Sequence, residues 1–381
     1  MINNKAKCLR PFVQALVFLF LIITISVYRL YINGLIDTKI LGIGDLNPYG
    51  GWNALREFAA GSGYVFEGIS YSFALTIALV AMALIGGRFF CGWICPIGAI
   101  QDIGSRLSSK TGKGTNPLWF KYSLLLALLI LSILGYGAKI AKMSPWRALM
   151  NLPEITGFII LSCVFLASIF LSRFFCRYLC PLGAAQALIG SISLISLKHG
   201  KDCTRCGSCL SNCPAGIRLS VGSETISPEC IRCMKCVENC TAGKDDGIRI
   251  KAGNKIVSVK AYAVIMLILF ASLWLGMPQI WGGSPSSGDI VLSSLKDGTY
   301  QGEAKGFAGR IITEVSITEG KISGITVIKH QESKGWYEEV YMILPREIIE
   351  KQRLSVDAIS GATKTSKGLI ESVENAVKKA Q

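Results

Sequence analysis

Eight cysteines occur in two runs with the same spacing, and the second run begins 27 residues after the first. Thiolates three residues apart in a tight loop can hold three corners of a [4Fe–4S] cluster, and the fourth cysteine of each run then reaches the other cluster. The spacing therefore predicts two clusters. One is held by Cys203, Cys206, Cys209 and Cys240, and the other by Cys230, Cys233, Cys236 and Cys213.

Zinc and disulfides are the alternatives for these eight thiols. Zinc also binds Cys-x2-Cys pairs, but two complete runs of four favour clusters. Disulfides need an oxidising compartment, and the topology below predicts a reducing one. Thr241 stands where a proline is usual after the fourth cysteine. That proline shapes the backbone and is not a ligand.

Four further cysteines lie in a repeat with an offset of 85, in which each Cys-x3-Cys-Pro motif follows Arg-Phe-Phe. They are Cys91, Cys95, Cys176 and Cys180. Cysteines at i and i+4 share a helix face, and the proline that follows tends to end the helix. If the halves pack as a pseudo-dimer, the four thiols form one site. A redox-active metal site and structural thiols that only pack or dock the other cysteine runs both stay open. Cys8 and Cys163 stand alone and are interpreted as small apolar residues.

Apolar residues make up 51% of the 381 residues and charged residues only 17%. A membrane-spanning helix needs about 20 mostly apolar residues. Five stretches qualify or come close, which predicts a multi-domain membrane protein with a bundle of about five transmembrane helices. They are roughly 12–32, 69–87, 118–137, 156–172 and 258–281. The first is too long for a signal peptide and lacks an A-x-A-like site, so it is interpreted as an uncleaved helix.

The charge distribution predicts the orientation. Counted with their flanks, the segments placed inside (the N-terminus, 88–117 and 173–257) carry 21 Lys and Arg against seven acidic residues, while the outer loops and the tail 282–381 are balanced. The positive-inside rule then places the N-terminus and the eight-cysteine segment in the cytoplasm and the tail outside. Lys139, Lys142 and Arg147 are a minor misfit. The net charge of +15 is thus explained by the membrane, and a nucleic-acid partner is not expected.

Residues 70–250 resemble the membrane polyferredoxins associated with periplasmic nitrate and nitrous-oxide reductases, through the paired Cys-x3-Cys-Pro motifs followed by the two-cluster segment. The resemblance implies electron transfer at the bacterial cytoplasmic membrane, often linked to quinol. Arg205, Arg232 and Lys235 could steer an acidic donor, or they are ordinary solvated charges. Neither His199 nor His330 lies in a predicted span, so paired intramembrane haem ligation within this chain is excluded.

After a Gly/Ser-rich linker the tail has the pattern of a soluble α+β domain. Residues 296–333 predict strands with a hairpin turn at Glu319-Gly320, and 338–352 and 366–380 predict helices, the second with Ser366 as N-cap. Small and hydroxyl residues over 357–366 precede this helix. They predict either a phosphate cradle or a capped turn.

Residues 297–381 resemble the FMN-binding domain of the covalent-flavin subunits in the sodium-pumping NADH:quinone reductase and the related ferredoxin:NAD complex. The matching motifs are the Asp-Gly-Thr-Tyr opening at 297–300 and the Ser-Gly-Ala-Thr at 360–363. The resemblance implies that a flavin transferase outside the cytoplasm attaches FMN to Thr363 through a phosphoester. It also implies that Ser360, Gly361 and Ala362 contribute to the site, with Thr365 as the fallback acceptor.

Together these features predict five parts. They are a four-helix transmembrane domain (1–198), a cytoplasmic ferredoxin-like insert (199–252), a fifth transmembrane helix (253–281), a linker (282–296) and an outer FMN-binding domain (297–381). The predicted function is transmembrane electron transfer from a cytoplasmic donor or quinol to the flavin and an outer acceptor. An accessory protein that supports a partner reductase and a quinol dehydrogenase are the alternatives. A quinone, a second flavin or a partner subunit must bridge the membrane.

Overall fold

The computed structural model describes residues 9–33, 35–36, 41–49, 51, 71–107, 118–134, 144–150, 155–198, 206–217, 227–240, 247–253, 255–281, 295–332, 337–354, 356, 358–359 and 362–381. The described residues form two compact units. The first draws on 1–23, 47–62 and 73–277, and the second on 24–46, 63–72 and 278–381. The cysteine-run segment and the apolar helices, predicted as separate domains, therefore pack within one unit.

All five apolar stretches form helices. In chain order, the helices up to residue 281 are α1 (Leu9–Ile32), α2 (Tyr71–Gly86), α3 (Phe89–Trp93), α4 (Pro96–Leu107), α5 (Leu118–Ile133), α6 (Pro145–Met150), α7 (Ile155–Phe170), α8 (Phe174–Tyr178), α9 (Pro181–Gly190), α10 (Ser208–Ser211), α11 (Lys235–Glu238), α12 (Val259–Ala271) and α13 (Met277–Trp281). Within the described chain, α1 and the continuous segment Val259–Ile280 are long and apolar enough to cross a membrane, whereas α2, α5 and α7 are shorter apolar helices.

The helix of each repeat ends before its cysteine motif. Gly87 and Arg173 adopt left-handed conformations, with φ of 70° and 53°, and a short helix follows each. Pro96 and Pro181 then begin α4 and α9. A proline suits this first position because the missing N–H has no helical partner to lose. Each short helix ends just before its proline, at Trp93 and Tyr178, as the sequence predicts. The expectation of one helix face was wrong, because the second cysteine of each motif lies after the end of that short helix.

A small antiparallel sheet flanks the eight-cysteine segment. Its strands are β1 (Ile195–Lys198), β2 (Arg249–Ala252) and β3 (Lys255–Val257), in the order β1-β2-β3. Leu197 and Ile250 lie opposite each other on β1 and β2, and both are buried. This pairing holds the two ends of the segment together and gives it mixed α and β structure.

The second unit is built on another antiparallel sheet. Its strands are β4 (Gly298–Lys305), β5 (Arg310–Thr318) and β6 (Lys321–His330), followed by α14 (Tyr337–Lys351) and α15 (Thr363–Lys378). Alternate residues of β5 are buried, as expected for a strand covered on one face. Glu319 and Gly320 both have positive φ, which is the geometry of a tight hairpin turn. The predicted hairpin is therefore present.

The last helix begins three residues earlier than predicted. Ala362 occupies the N-cap position of α15, and Ser366 lies inside the first turn. The Ser366 hydroxyl accepts a hydrogen bond from the backbone N–H of Ile359 and donates to the carbonyl of Ala362. Ser366 therefore fixes the loop that precedes the helix and is not its N-cap.

The C-terminal end of α1 belongs to the second unit. Tyr28 and Tyr31 pack in an apolar cluster with residues of α14 and with Ala362. Their hydroxyls donate to Glu339 and Glu347, at 3.1 and 3.3 Å. The sequence patterns did not reveal that α1 contributes to the core of the C-terminal domain.

Burial along α14 predicts an asymmetric response to truncation. Leu344 is fully buried, whereas Met342 on the same helix is 52% exposed. We expect Leu344→Ala to lower the free energy of unfolding of the second unit by about 2–5 kcal/mol, because it leaves a cavity. Met342→Ala is the matched control and should change it by less than about 0.5 kcal/mol. Urea-dependent pulse proteolysis of the full-length protein, read at a C-terminal tag, measures both, and equal midpoints would contradict the described core.

Candidate functional site

Four cysteines from both runs line one cavity. They are Cys213, Cys230, Cys233 and Cys236, and apolar side chains, among them Leu197 and Ile217, complete the wall. These four are the residues that the spacing predicted for the second cluster. Of the other predicted set, Cys203 lies outside the described residues. The Ser208 hydroxyl donates to the Asn239 carbonyl at 2.9 Å and so ties together the turns that carry the remaining three.

The lining of this cavity fits an iron–sulfur cluster, since its four cysteines are surrounded by apolar side chains. A zinc site would place its thiolates about 2.3 Å from the metal. Four thiols around an apolar cavity instead suit a group that brings its own inorganic core.

Two of the buried thiols of this cavity, Cys213 and Cys230, are weaker acids than a free cysteine when no cluster is bound. Burial raises the pKa of Cys230 to about 11, against the opposing effect of the Arg232 guanidinium. Burial also raises the pKa of Cys213. Ligation must therefore displace protons, so cluster assembly at these cysteines is coupled to proton release.

The two Cys-x3-Cys-Pro motifs are linked by crosswise contacts. The Gln101 amide donates to the sulfur of Cys176 at 3.2 Å, and the sulfur of Cys91 lies 2.9 Å from Oε1 of Gln186. Gln101 and Gln186 are related by the same offset of 85 as the cysteines. The two repeats therefore contact each other as a pseudo-twofold pair around their thiols.

Two equivalent arginines lie fully buried beside these thiols. Arg173 donates to the Cys91 carbonyl at 2.7 Å and to both oxygens of Asp102, at 2.9 and 2.6 Å. Arg10 of α1 also pairs with Asp102. Burial alone would raise the pKa of Asp102, but the charges of Arg173 and Arg10 outweigh it and hold that pKa well below its usual range.

Arg88, the counterpart of Arg173, uses a carboxylate from a different segment. Its Nη1 donates a hydrogen bond to Glu229 Oε2 at 2.5 Å. Glu229 also accepts hydrogen bonds from the Lys121 ammonium at 2.6 Å and from the Tyr122 hydroxyl at 2.5 Å. The counterpart of Asp102 in the second repeat is Ala187, which has no charge to offer. Glu229 directly precedes Cys230, so the eight-cysteine segment supplies the missing carboxylate.

The eight-cysteine segment packs tightly on the first repeat. A Cβ atom at Gly92 would lie 2.1 Å from the Ile231 carbonyl oxygen, so only glycine permits this approach. The Trp93 indole donates to the Arg232 carbonyl at 2.9 Å. Arg232 itself is buried, and its guanidinium donates a hydrogen bond to the Ser193 hydroxyl at 3.1 Å. The prediction of a surface role for Arg232 was therefore wrong.

Arg88 has unused donors. Its Nε and Nη2 are buried and have no hydrogen-bond partner among the described residues. Its electrostatic neighbours include Cys91, Cys176 and Cys180. A buried cationic group with free donors next to thiols fits an anionic group at that position.

The predicted flavin site is described in part. Thr363 is the first residue of α15, Ala362 before it is buried, and Ser360 and Gly361 lie outside the described residues. The Thr365 hydroxyl is buried and donates to Glu332 at 2.7 Å. This bond makes Thr365 a poor fallback acceptor. Glu332 also accepts from the Ala308 N–H at 3.0 Å and was missed from sequence, because no motif marks it.

Three family models match the chain. A 4Fe-4S binding domain matches residues 71–114 and 154–201, which contain the two Cys-x3-Cys-Pro motifs. A 4Fe-4S dicluster domain matches 195–241, and an FMN-binding domain matches 306–378. Together they define an iron–sulfur electron-transfer protein that also carries an FMN-binding domain.

Several curated proteins are similar to part of this chain. The uncharacterized protein MJ0750 of Methanocaldococcus jannaschii is 30% identical over 39% of this chain and 67% of its own length. The methylamine utilization ferredoxin-type protein MauN of Paracoccus denitrificans is 32% identical over 37% of this chain. Protein NirI of the same organism is 30% identical over 36% of this chain. The chain spans only 53% of MauN and 23% of NirI. The chain therefore belongs to the same family as MJ0750, and its own 4Fe-4S matches give it iron–sulfur character.

The buried Asp102 predicts a large effect of neutralisation. Asp102→Asn leaves Arg10 and Arg173 buried without a counter-charge, so we expect a loss of about 3–5 kcal/mol in the stability of the first unit. Glu303→Gln is the control, because its pair with Arg310 is exposed and contributes about 0–1 kcal/mol. Thermal unfolding of the purified protein in detergent compares the two. An Asp102→Asn variant as stable as the control would refute the role of this network.

The Cys180 thiol predicts a pH-dependent reactivity in protein freed of iron. Burial, followed by the charges of Cys176 and Cys91, raises the pKa of Cys180 to about 12. Only the thiolate reacts, so at pH 8 alkylation should be roughly a thousandfold slower than for a free cysteine of pKa about 8.5. The rate should rise about tenfold per pH unit up to pH 11. Mass spectrometry of alkylated peptides measures it, with the exposed Cys206 as reference, and a plateau near pH 9 would contradict the raised pKa.

Proposed function

We propose that this chain conducts electrons across the bacterial cytoplasmic membrane, between a cytoplasmic donor or the quinol pool and an acceptor outside. One observation carries the proposal. The cavity lined by Cys213, Cys230, Cys233 and Cys236 lies in the same unit as the paired Cys-x3-Cys-Pro motifs, and Trp93 bonds the backbone between two of its cysteines. Two thiol sets packed this closely are suited to short electron steps.

The residues that would hold the carriers are those that the cysteine spacing predicts. Cys213, Cys230, Cys233 and Cys236 would bind one [4Fe–4S] cluster, and Cys203, Cys206, Cys209 and Cys240 the other. When bound, the clusters supply one-electron carriers and FMN supplies a carrier of one or two electrons. The protein contributes burial, hydrogen bonds and fixed charge around them.

A third cofactor site is proposed at Cys91, Cys95, Cys176 and Cys180. The crosswise amide contacts and the unused donors of Arg88 support it. Purely structural thiols would not require a buried cation with free N–H groups. A cofactor here would add a step between the cytoplasmic clusters and whatever carrier bridges the membrane.

The sidedness of the proposal rests on charge. The five spans predicted from the sequence would put the basic segments and the eight cysteines in the cytoplasm and the FMN-binding domain outside. FMN would then be attached at Thr363 by an extracytoplasmic flavin transferase. Donor and acceptor proteins or a quinone, together with the lipid bilayer, are the implied partners.

Flavin attachment gives a direct test of the outer site. After co-expression with a flavin transferase, we expect flavin fluorescence in the band of this protein on a denaturing gel, and none for Thr363→Ala. Thr365→Ser keeps the hydroxyl that contacts Glu332 and should remain fluorescent. A transferase substrate of known activity controls for the enzyme. Fluorescence that persists in Thr363→Ala would show that another residue carries the flavin. A parent band without fluorescence would refute the covalent attachment of flavin.

The same variant separates a conduit from an accessory protein. In cells, a conduit predicts that Thr363→Ala lowers electron flux to the outer acceptor while the partner reductase stays at its normal level. An accessory role predicts lower abundance or maturation of that reductase, with flux per reductase unchanged. Measuring reductase by immunoblot together with acceptor reduction in whole cells distinguishes the two.

A further inference from the structure

The contacts around the four thiols of the repeat assign a role to two glutamines. We infer that Gln101 and Gln186 are positioning residues for the cofactor held by Cys91, Cys95, Cys176 and Cys180, each amide serving a cysteine of the other repeat. The inference deepens the proposed third site and rests on it. It differs from that site because it concerns two residues outside the Cys-x3-Cys-Pro motifs.

The burial and bonding of Gln101 fix its amide. Gln101 is fully buried, its Nε2 donates to the Ile97 carbonyl at 3.1 Å and to the Cys176 sulfur at 3.2 Å, and its Oε1 accepts from the Phe175 N–H at 2.9 Å. Both atoms of the amide therefore hold the second repeat. A side chain used only for packing would not need this set of bonds.

Gln186 completes the pair from the other side. It is also buried, and its Oε1 lies 2.9 Å from the Cys91 sulfur, which donates as a thiol. A thiolate ligand has no proton to give, but rotation of the amide by half a turn presents its N–H₂ to the same sulfur. In the ligated state both glutamines then donate to sulfur, each to a cysteine of the other repeat.

Fixed charge surrounds the same sulfurs. Arg173 donates to the Cys91 carbonyl, and the free donors of Arg88 lie near the second repeat, where a Cβ atom at Gly183 would meet its Nη2 at 2.6 Å. Hydrogen bonds to ligand sulfurs favour the more negative, reduced state of a metal centre. The two glutamines should therefore raise its reduction potential, and they should do so independently of each other.

The test uses Gln101→Met, Gln186→Met and the double variant in the full-length, iron-loaded protein. Gln14→Met is the control, because Gln14 is buried in the same unit and its described hydrogen bonds, to the Gly92 carbonyl and to Asp102 at 3.4 Å each, go to oxygen and not to sulfur. We expect each single variant to shift the reduced-to-oxidised equilibrium of the third centre about fivefold towards the oxidised form, as for one lost hydrogen bond. The double variant should shift it by roughly the product. Redox titration followed by electron paramagnetic resonance measures this, and titrations that coincide with the parent and Gln14→Met overturn the inference.

A second measurement uses protein freed of iron and keeps the inference testable if a variant fails to load. Alkylation of Cys91 should change in rate in Gln186→Met and not in Gln101→Met, and alkylation of Cys176 should show the reverse. This crosswise pattern is specific, because general loosening would change both rates in both variants. Equal changes at the two cysteines would overturn the inference.

The double variant Cys91→Ser/Cys176→Ser separates this inference from the proposed site. If it retains the iron content and every redox signal of the parent, the third site itself is wrong. If it loses one signal while the glutamine variants leave that signal unmoved, the site stands and only the role of Gln101 and Gln186 is refuted.

Discussion

Two buried arginines impose the main constraint on the first unit. Arg88 and Arg173 occupy equivalent positions of the repeat and are almost completely removed from solvent. An unpaired buried cation is too costly to keep, so each must have a carboxylate within reach. Asp102 forms an ion pair with Arg173, and Glu229 forms one with Arg88. The positions of α1, of both repeats and of the eight-cysteine segment are linked through these two carboxylates.

The repeat is symmetric where thiols and amides are concerned and asymmetric in its charges. Cysteines, glutamines and arginines recur at the same offset, but Asp102 has Ala187 as its counterpart. If the second repeat had an aspartate at position 187, that aspartate could have paired with the buried arginine of the first repeat. With alanine there, the second carboxylate must come from Glu229. The eight-cysteine segment is therefore a required part of the core of the first unit, and its attachment adjoins the cluster ligand Cys230.

Local patterns predicted much of this molecule. The five apolar stretches became helices, and the hairpin at Glu319-Gly320 formed because its geometry is set by two adjacent residues. The spacing of the cysteines named the four that line one cavity. Helix boundaries that depend on tertiary contacts were harder to predict from the sequence. The left-handed Arg173 ends a helical region where composition alone would continue it, and its conformation is held by Asp102, 71 residues away.

The residues missed from sequence share a physical reason. Gln101, Gln186 and Glu332 act through hydrogen bonds to distant parts of the chain, and a polar residue gives no sign in the sequence of which partner it will meet. Arg232 was misassigned for the same reason, because a cation adjacent to cysteines has the pattern of a surface charge until its burial is known. Where a chain buries cations beside thiols, the residues that hydrogen-bond to those groups must occupy positions as strictly defined as those of the cysteines. The offset of 85 therefore holds information beyond the cysteines, since any polar residue repeated at that offset next to them is a candidate for the same shell of contacts.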